Sequence, residues 1–324
     1  MDLSVVVVTL DGREMTLACL DSVGPGAGGL EHEIIVVDNG STDGTPAAVR
    51  GRFPGARVLE NGANRGYGPA ANQGMRESRG RCVLLLNNDA RAPAGGLRTL
   101  VEFLDASHDA AMVGPQLMHE DGRTQHSFDA EPSLATELLN KSLLRRLMPG
   151  RFPGRLTPLS GPTDVPNLVG ACLMVRRAAM DELGPFDETF FYLYEETDWC
   201  RRARARGWRV VVHPGVRVVH LQGRTRERMR VRAKVEHARS LFAYFRKHHP
   251  VQGALLRALY PVKSLLETVL FGLSTALTLG LWPRARRRTA EAAAVLAWQL
   301  LLCPRGMGLA PRVRPDAPCP ATSR

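Results

Sequence analysis

Apolar residues follow two alternating patterns along the first 120 residues of the chain. Short runs typical of strands buried on both faces occur at 3–8, 33–37, 57–59, 82–86 and 111–117. Apolar side chains at helical spacing predict helices between these runs, at 14–23, 70–78 and 97–106. Strands that alternate with helices indicate an α/β fold with a mostly parallel sheet flanked by helices.

The pattern is less regular in the next part of the chain. Residues 119–165 contain several Pro and Gly breaks around a short amphipathic piece at 134–147, which predicts an insertion or flexible loop over the site. Strand patterns return at 167–175, 209–212 and 216–219. A helix predicted at 195–206 ends in arginines, which the helix dipole favours. From Arg224 to Pro250 the pattern is helical and basic.

A long apolar run extends from residue 262 to residue 282. Its 21 residues include only two charged ones, Lys263 and Glu267, and a membrane-spanning helix needs about 20 apolar residues. Four arginines follow within the next six residues, as on a cytoplasmic flank. A buried or interfacial hairpin also explains the run. We therefore predict that 264–282 contacts the cytoplasmic membrane leaflet, as one C-terminal span or as a peripheral hairpin.

Charge divides the chain into an acidic front and a basic back. Residues 1–199 carry 18 basic and 27 acidic side chains, whereas residues 200–263 carry 17 basic and 2 acidic ones. A basic segment attracts phosphates, either those of an anionic membrane or those of nucleic acid. Six cysteines without C-x-x-C spacing, and no signal-peptide pattern, predict a reduced cytoplasmic protein without a zinc site.

Polar clusters follow two of the predicted strands at the point where each strand ends. Asp38 begins the run D-N-G-S-T-D-G, and Asn87, Asn88 and Asp89 follow the strand at 82–86. Ligands bind beyond the carboxyl ends of strands in open α/β sheets, so Asp38 and Asp89 are predicted to share one edge. A carboxylate there accepts hydrogen bonds from a base or a ribose, and Asp89 suits Mg²⁺ shared with phosphates. Both clusters also fit simple turns.

Three further features carry candidate chemistry. The Gly-rich loop at 64–74 opens a helix, where backbone N–H groups bind anions, and it matches neither a Walker loop nor the dinucleotide fingerprint. Glu195 and Glu196, with Asp198 close by, begin a helix, where they act either as caps or as a general base with a raised pKa. His220 follows a strand and is either structural or a ligand.

The order of these motifs is more specific than any one of them. Seven motifs follow one another along the chain in this order: V-V-V-V-T-L-D, I-I-V-V-D-N-G-S-T-D-G, N-R-G-Y-G-P-A-A-N-Q-G, L-L-L-N-N-D, V-G-A-C-L-M-V-R-R, Y-E-E-T-D-W-C-R-R and H-P-G-V-R-V-V-H. Over residues 3–225 the chain resembles the family 2 glycosyltransferases, in particular the rhamnosyltransferase-like branch. The resemblance implies a GT-A fold over 1–225, with a nucleotide-sugar-binding half (1–118) and an acceptor-binding half (119–225). Residues 226–324 would form a helical, basic, membrane-associating region.

The resemblance assigns nucleotide-sugar binding to five residues. Thr9 and Asp38 would hold the nucleoside. Asn64 and Arg65 would lie close to the nucleotide, and Asn88 would contribute to the same site. These positions match family motifs one by one and imply a nucleoside diphosphate sugar as the donor.

The resemblance also assigns the metal site and the base. Asp89 takes the place of the last Asp of a D-x-D motif, whose first position is Asn87 here, a departure that removes one charge from the metal site. His220 matches the histidine near the metal and the diphosphate, so Mg²⁺ or Mn²⁺ is the expected cofactor. Glu196 falls on the general base and Glu195 on its acidic neighbour.

The implied reaction is an inverting transfer of a sugar, rhamnose in the branch that the chain resembles, to a hydroxyl of a glycan or lipid-linked acceptor in cell-surface polysaccharide synthesis. Because Asn87 replaces an aspartate of the metal motif, a second class of protein stays open, a non-catalytic scaffold that binds a nucleotide sugar at the membrane. A turnover assay would distinguish this scaffold from an enzyme. A nucleic-acid binder fits the basic residues, but there is no recognised binding motif and aromatic residues are only 6%. We therefore expect no nucleic acid as a partner.

Overall fold

The structure is a computed structural model, and it describes residues 1–139, 144, 146–148, 159–221, 230–304 and 307–309. The strands are β1 (Leu3–Thr9), β2 (His32–Asp38), β3 (Arg57–Glu60), β4 (Cys82–Asn87), β5 (Ala90–Arg91), β6 (Ala110–Met118), β7 (Phe128–Asp129), β8 (Thr163–Asp164), β9 (Asn167–Leu168), β10 (Cys172–Arg176) and β11 (Arg209–His220). The helices are α1 (Arg13–Asp21), α2 (Val23–Ala27), α3 (Thr45–Arg52), α4 (Tyr67–Glu77), α5 (Gly96–Ala106), α6 (Leu134–Leu138), α7 (Arg177–Leu183), α8 (Glu195–Ala205), α9 (Arg230–His248), α10 (Pro250–Leu277) and α11 (Pro283–Leu300).

The main sheet has the strand order β3-β2-β1-β4-β10-β6-β11-β5, with β8 paired to β11. The first four strands are parallel, and the register pairs Thr9 with Asp38 and Val8 with Asn87. Strand β10 runs antiparallel between β4 and β6, and β11 runs parallel to β6. The carboxyl ends of β1, β2 and β4 therefore meet at one edge, as the sequence predicts.

Alternate residues of each central strand face two separate apolar layers. Val5 and Val7 of β1 face a layer that includes Leu97 and Leu100 of α5. Val6, between them, faces a layer that includes Ala70 and Ala71 of α4. Burial on both faces is the reason that these strands are continuous aliphatic runs. The mostly parallel α/β sheet flanked by helices is confirmed.

Three predicted elements differ from the structure in their boundaries. The helix at 14–23 is two helices, α1 and α2, because the chain turns at Ser22. The strands at 209–212 and 216–219 are one strand, β11, because a register shift between His213 and Arg217 absorbs the Pro-Gly pair. The run at 167–175 is two strands of different sheets, β9 and β10.

Part of the segment 119–165, predicted to be an insertion over the site, can be compared with the structure. Its described residues include β7, α6 and β8, and β7 pairs with β9 in a small second sheet. Residues 140–143 and 145 of the amphipathic piece at 134–147, and residues 224–229 of the predicted basic helix, lie outside the described residues. Cysteines 19, 82, 172, 200 and 303 are free thiols in the described ranges, and Cys319 lies outside them.

Helices α9, α10 and α11 pack around a third apolar cluster. Tyr244 and Phe245 of α9, Leu256 and Tyr260 of α10 and Trp298 of α11 are buried in it. Phe190 and Tyr194, which precede α8, belong to the same cluster. The C-terminal helices are therefore packed directly against the segment that leads into the predicted base.

The structure also bears on the predicted span at 264–282. Among the residues described, no helix has both the length and the apolar character that a membrane crossing requires. Helix α10 ends at Leu277, so the helical part of the apolar run is 264–277.

Candidate active site

Asp38 lies at the end of β2 with one oxygen bonded and one oxygen unused. Its Oδ2 accepts hydrogen bonds from the backbone N–H groups of Gly40 (3.1 Å) and Ser41 (2.9 Å). Its Oδ1 is buried and has no hydrogen-bond partner within the part of the chain that the structure describes. A buried oxygen without a partner is costly, so this oxygen is suited to accept a hydrogen bond from a bound ligand.

Thr9 and Asn88 share a buried hydrogen-bonded cluster with Thr16. The hydroxyls of Thr9 and Thr16 lie 2.8 Å apart, and Asn88 Nδ2 donates to both, at 3.2 and 3.3 Å. The side chain of Thr9 is therefore engaged inside the protein. These bonds hold the turn that carries Asp89 against the end of β1.

The Gly-rich loop is joined to the turn after β2 by Asn39. Asn39 Nδ2 donates to Asn64 Oδ1 (3.2 Å) and to the carbonyl of Gly66 (3.0 Å), and the backbone N–H of Arg65 donates to Asn39 Oδ1 (3.3 Å). Gly66 has a φ of +94°, and a Cβ there would lie 2.5 Å from the carbonyl oxygen of Phe191. This position therefore requires glycine, and the loop lies directly against the segment before α8.

Asp89 and His220 are neighbours because β5 pairs with β11. The pairing sets His220 opposite Ala90, and the backbone N–H of Leu221 donates to the carbonyl of Asp89 (3.0 Å). His220 Nε2 lies 3.4 Å from Asp89 Oδ1, with both side chains largely buried. The two predicted metal-site residues are therefore adjacent, although they are more than a hundred residues apart in the sequence.

Gln125, which the sequence did not single out, orients His220. Its amide nitrogen donates to the carbonyl oxygens of His220 (2.6 Å) and Met118 (3.2 Å), which fixes Oε1 toward His220 Nδ1 at 3.2 Å. An amide oxygen only accepts, so Nδ1 carries a proton, an assignment made from this hydrogen-bond network. In the neutral ring the lone pair of Nε2 then faces Asp89, the arrangement found in metal-binding histidines.

One imidazole nitrogen and one carboxylate oxygen suit a divalent cation that is completed by substrate phosphates and water. In the described ranges, no group of three or more His, Cys, Asp or Glu side chains could hold a metal ion. The pair therefore fits a cation that binds together with a diphosphate, and Asn87 adds no charge to it.

Glu195 and Glu196 begin α8 after two residues with unusual backbone geometry. Leu193 and Tyr194 have φ values of +69° and +76°, which non-glycine residues rarely adopt and which often occur at functional sites. The Oε2 atoms of Glu195 and Glu196 are buried and lack hydrogen-bond partners among the residues described. Burial raises the pKa of both carboxyls, and the charge of Glu196 raises the pKa of Glu195 further. A carboxyl with a raised pKa suits proton transfer near neutral pH.

A short loop between β9 and β10 connects the carboxyl pair to the metal-site residues. A Cβ added to Gly170 would lie 3.4 Å from Glu196 Oε1. The backbone N–H of Gly170 forms a hydrogen bond that lowers the pKa of the Glu196 carboxyl. The next carbonyl, that of Ala171, accepts a hydrogen bond from the N–H of Asn87 (2.9 Å). Glu196 and the Asn87–Asp89 turn therefore both lie against one three-residue loop. This loop is also what interrupts the strand predicted at 167–175.

Tyr67, at the start of α4, completes the other side of the carboxyl pair. Its backbone N–H donates to the carbonyl of Phe191 (2.9 Å), and its pKa is raised by burial and then by the charges of Glu195 and Glu196. The Gly-rich loop therefore lies beside the carboxyl pair, and loop 169–171 links that pair to the turn that carries Asp89. Tyr67 lies within a motif noted in the sequence, but nothing local indicates that it lies against the carboxyls.

Helix α8 is anchored by Asp198, which is fully buried. Its carboxylate contacts Arg202 Nε (2.8 Å), Lys247 Nζ (2.7 Å) and His248 Nε2 (2.6 Å). Burial alone would raise the pKa of Asp198, but the hydrogen bonds from His248 and Lys247 and the charge of Arg202 lower it. The carboxylate is therefore ionised and holds the helix that carries Glu196 against α9.

Comparison with known proteins agrees with this geometry. The family described as "Glycosyl transferase family 2" matches residues 4–184. An N-acetylglucosaminyl-diphospho-decaprenol L-rhamnosyltransferase of Mycobacterium tuberculosis is 31% identical over 234 residues, which are 67% of this chain and 75% of the relative. A low-salt glycan biosynthesis hexosyltransferase of Haloferax volcanii is 25% identical over 207 residues, 63% of this chain and 62% of the relative.

A solved structure shows the same fold at low sequence identity. The mannosyltransferase of Pyrobaculum calidifontis, in complex with GDP-Man and Mn²⁺, aligns with a TM-score of 0.55 at 19% identity, over 93% of this chain and 86% of that one. The family and the fold expected from the ordered motifs are thus confirmed. The chain belongs to glycosyl transferase family 2 and is a glycosyltransferase with the GT-A fold.

Proposed function

We propose that this glycosyltransferase transfers L-rhamnose, with inversion, from a nucleoside diphosphate sugar to a hydroxyl of a lipid-linked glycan. The observation that carries the proposal is the position of Glu196. Its buried Oε2 has no hydrogen-bond partner among the described residues. Its Oε1 lies against Gly170 of loop 169–171, and the same loop accepts a hydrogen bond from Asn87 in the turn that leads to Asp89 and His220. A proton acceptor close to a diphosphate site is what a direct displacement at the anomeric carbon requires.

The donor site is assigned to the carboxyl edge of the first four strands, within residues 1–118. Asp38 Oδ1 would accept a hydrogen bond from the nucleoside, because Oδ2 is already used by two backbone N–H groups. Arg65 and the loop that Asn64 and Asn39 hold would lie near the phosphates. Thr9 and Asn88 would support this site from inside the protein, because Asn88 Nδ2 donates a hydrogen bond to the hydroxyl of Thr9.

The diphosphate is assigned to Asp89 and His220. A divalent cation, Mg²⁺ or Mn²⁺, would supply positive charge that stabilises the leaving diphosphate. Asp89 would contribute one carboxylate oxygen, and His220 would contribute Nε2, whose lone pair Gln125 directs toward Asp89. The mannosyltransferase that shares the fold was solved with Mn²⁺, which supports this assignment.

The proton transfer is assigned to Glu196. The acceptor hydroxyl gives its proton to Glu196 Oε2 while its oxygen forms a bond to the anomeric carbon of the sugar. The bond between that carbon and the diphosphate oxygen breaks on the opposite face, so the configuration inverts. Burial raises the pKa of Glu196, and the charge of Asp129 raises it further.

The acceptor is assigned from a relative, and the cellular location is assigned from the basic C-terminal region of the chain. The mycobacterial relative is named for a decaprenol-linked N-acetylglucosamine acceptor. A similar polyprenyl diphosphate acceptor would approach through residues 119–225. It would hold the enzyme at the cytoplasmic face of the plasma membrane, where residues 226–324 would contact the leaflet. No nucleic acid is needed in this scheme.

The test is a transfer assay with purified full-length protein. Donor is varied among dTDP-, UDP- and GDP-sugars, with polyprenyl diphosphate N-acetylglucosamine in detergent as the acceptor. We expect a glycosylated lipid from dTDP-L-rhamnose, with the anomeric configuration opposite to that of the donor. Retained configuration would refute the assigned mechanism. Donor binding by calorimetry without turnover of any donor would instead favour the non-catalytic scaffold that Asn87 left open.

A further inference from the structure

The turn between α10 and α11 exposes an unusual group of large apolar side chains. Leu277 and Leu279 are each 86% exposed, Leu281 is 82% exposed and Trp282 is 50% exposed. Leu279 has a φ of +48°, a left-handed conformation that leucine rarely adopts. Strained backbone that presents leucines to solvent is unfavourable for an isolated soluble protein, and such features cluster at functional sites.

The exposed apolar surface continues from this turn along α10. Exposed large apolar residues recur along the whole length of this helix, at 251, 255, 259, 262, 265, 266, 269, 270, 273 and 277. The inner side of the hairpin is closed separately, where the hydroxyls of Thr275 and Thr289 lie 3.1 Å apart. The exposed surface is therefore on the outside of the hairpin, and none of the described elements covers it.

Four arginines surround the turn on the α11 side. Arg284, Arg286, Arg287 and Arg288 are exposed and form no ion pair with an acidic group in the described ranges. The first turn of α11 contains no acidic residue. Arg288 lies over the ring of Phe271, 5.2 Å from its centre. Cations at a helix N-terminus oppose the helix dipole, so Arg284 and Arg286 in the first turn do not stabilise α11. Their placement fits an external anionic surface instead.

We propose that residues 277–282 dock on an anionic lipid bilayer, with the leucines and Trp282 in the interfacial region and the arginines on lipid phosphates. A projecting turn offers little area to a protein partner, whereas it enters a bilayer readily. Tryptophan favours the interface between headgroups and acyl chains, and arginines bind anionic headgroups. The hairpin would lie on the membrane without crossing it. The inference adds a specific surface to the proposed function, on which it rests only for the lipid-linked acceptor.

The helix that carries the docking surface, α10, is bonded to α6, which lies within the predicted acceptor-binding half (119–225). Lys263 Nζ of α10 donates to the carbonyl of Glu137 in α6 (2.5 Å). Tyr194, the residue before the carboxyl pair, belongs to the apolar cluster against which Leu134 and Leu138 of α6 pack. A hairpin anchored at 277–282 therefore keeps the acceptor half at the surface of the bilayer.

Vesicle flotation of the full-length protein, without donor or acceptor, tests the proposal. Neutral phosphatidylcholine vesicles are compared with vesicles that also contain phosphatidylglycerol. We expect binding to the anionic vesicles, and a decrease of about tenfold or more in Leu277→Asp. Val251→Asp is the matched control, because Val251 is 84% exposed on the same helix and lies about 39 Å from Leu277 along its axis. The control should bind like the wild type.

Trp282 provides a second measurement that needs no destabilising change. Its fluorescence should shift to the blue with anionic vesicles and be quenched by brominated lipids, and Trp282→Phe should lose both signals. Equal binding by Leu277→Asp and wild type would overturn the proposal. So would a dimer in light scattering that Leu277→Asp dissociates, because the surface would then belong to a second copy. Transfer to a soluble acceptor analogue, unchanged in Leu277→Asp, would show that the function stands independently of docking.

Discussion

Replacing Glu196 by glutamine separates proton transfer from every other role of this side chain. The glutamine keeps the shape of the residue and an oxygen that accepts from the N–H of Gly170. Its NH₂ group takes the place of Oε2, which has no hydrogen-bond partner among the residues described. The variant therefore loses the proton acceptor while the packing at the start of α8 is unchanged.

The size of the effect follows from the role assigned to the group. A general base contributes about 10²- to 10⁴-fold to the rate, which corresponds to about 3–5 kcal/mol in the barrier. We expect kcat for Glu196→Gln to fall by at least about 100-fold in the transfer assay. Donor affinity, measured by calorimetry, should be unchanged because Glu196 does not belong to the nucleotide site.

Stability and pH dependence give two independent checks on the same residue. Burial raises the pKa of Glu196, so ionising it costs stability in the folded state, and this cost appears as pH rises above the pKa of the unfolded chain. Glu196→Gln removes the cost, and its Tm at pH 8 should equal or exceed that of the wild type. The transfer rate of the wild type should increase as the pH rises through the raised pKa of Glu196. Asp129→Asn should shift this increase in rate to lower pH, because the charge of Asp129 also raises the pKa of Glu196.

Glu195→Gln is the internal control for the assignment. Glu195 has the same chemistry and the adjacent position, but it is not the residue that Gly170 contacts. If Glu195→Gln abolishes transfer and Glu196→Gln does not, Glu195 is the base and the assignment is wrong by one residue. Loss of donor binding in Glu196→Gln would show that the residue is structural.

Three further substitutions test the rest of the site. Asp89→Ala should abolish the divalent-cation dependence of donor binding in calorimetry, and full wild-type activity in excess EDTA would contradict the metal role. Gln125→Leu should weaken Mn²⁺ binding in spin resonance by about 10- to 100-fold. Asp38→Asn should weaken donor binding by about tenfold or more, because an NH₂ group replaces the free Oδ1, and unchanged affinity would exclude that contact.

The strands of the first half of the fold were predictable from the hydrophobic pattern alone. Strands buried on both faces need uninterrupted aliphatic runs, and 3–8, 33–37 and 82–86 match β1, β2 and β4 closely. The break inside 167–175 was not visible, because the apolar residues on both sides of Gly170 are buried. The hydrophobic pattern predicts which residues are buried, but it does not predict which sheet a buried residue belongs to.

The candidate site was predictable where it follows from the ends of strands. Asp38 and Asp89 share an edge because parallel strands place their carboxyl ends together. Gln125 was not predictable, since its contact with His220 joins residues 95 positions apart through a hairpin and a strand pairing. Tyr67 was inside a recognised motif, but its position against the carboxyls depends on how α4 meets α8.

The C-terminal helices are best understood together with the base. Asp198 ties α8 to α9 through Lys247 and His248, while α9 shares an apolar cluster with α10 and α11. The exposed turn at 277–282 and the carboxyl pair are therefore parts of one packed body. Docking that turn would fix the orientation of Glu196 relative to the bilayer. Removing α10 and α11 would also expose the cluster around Tyr244, so single substitutions in the turn isolate docking from folding.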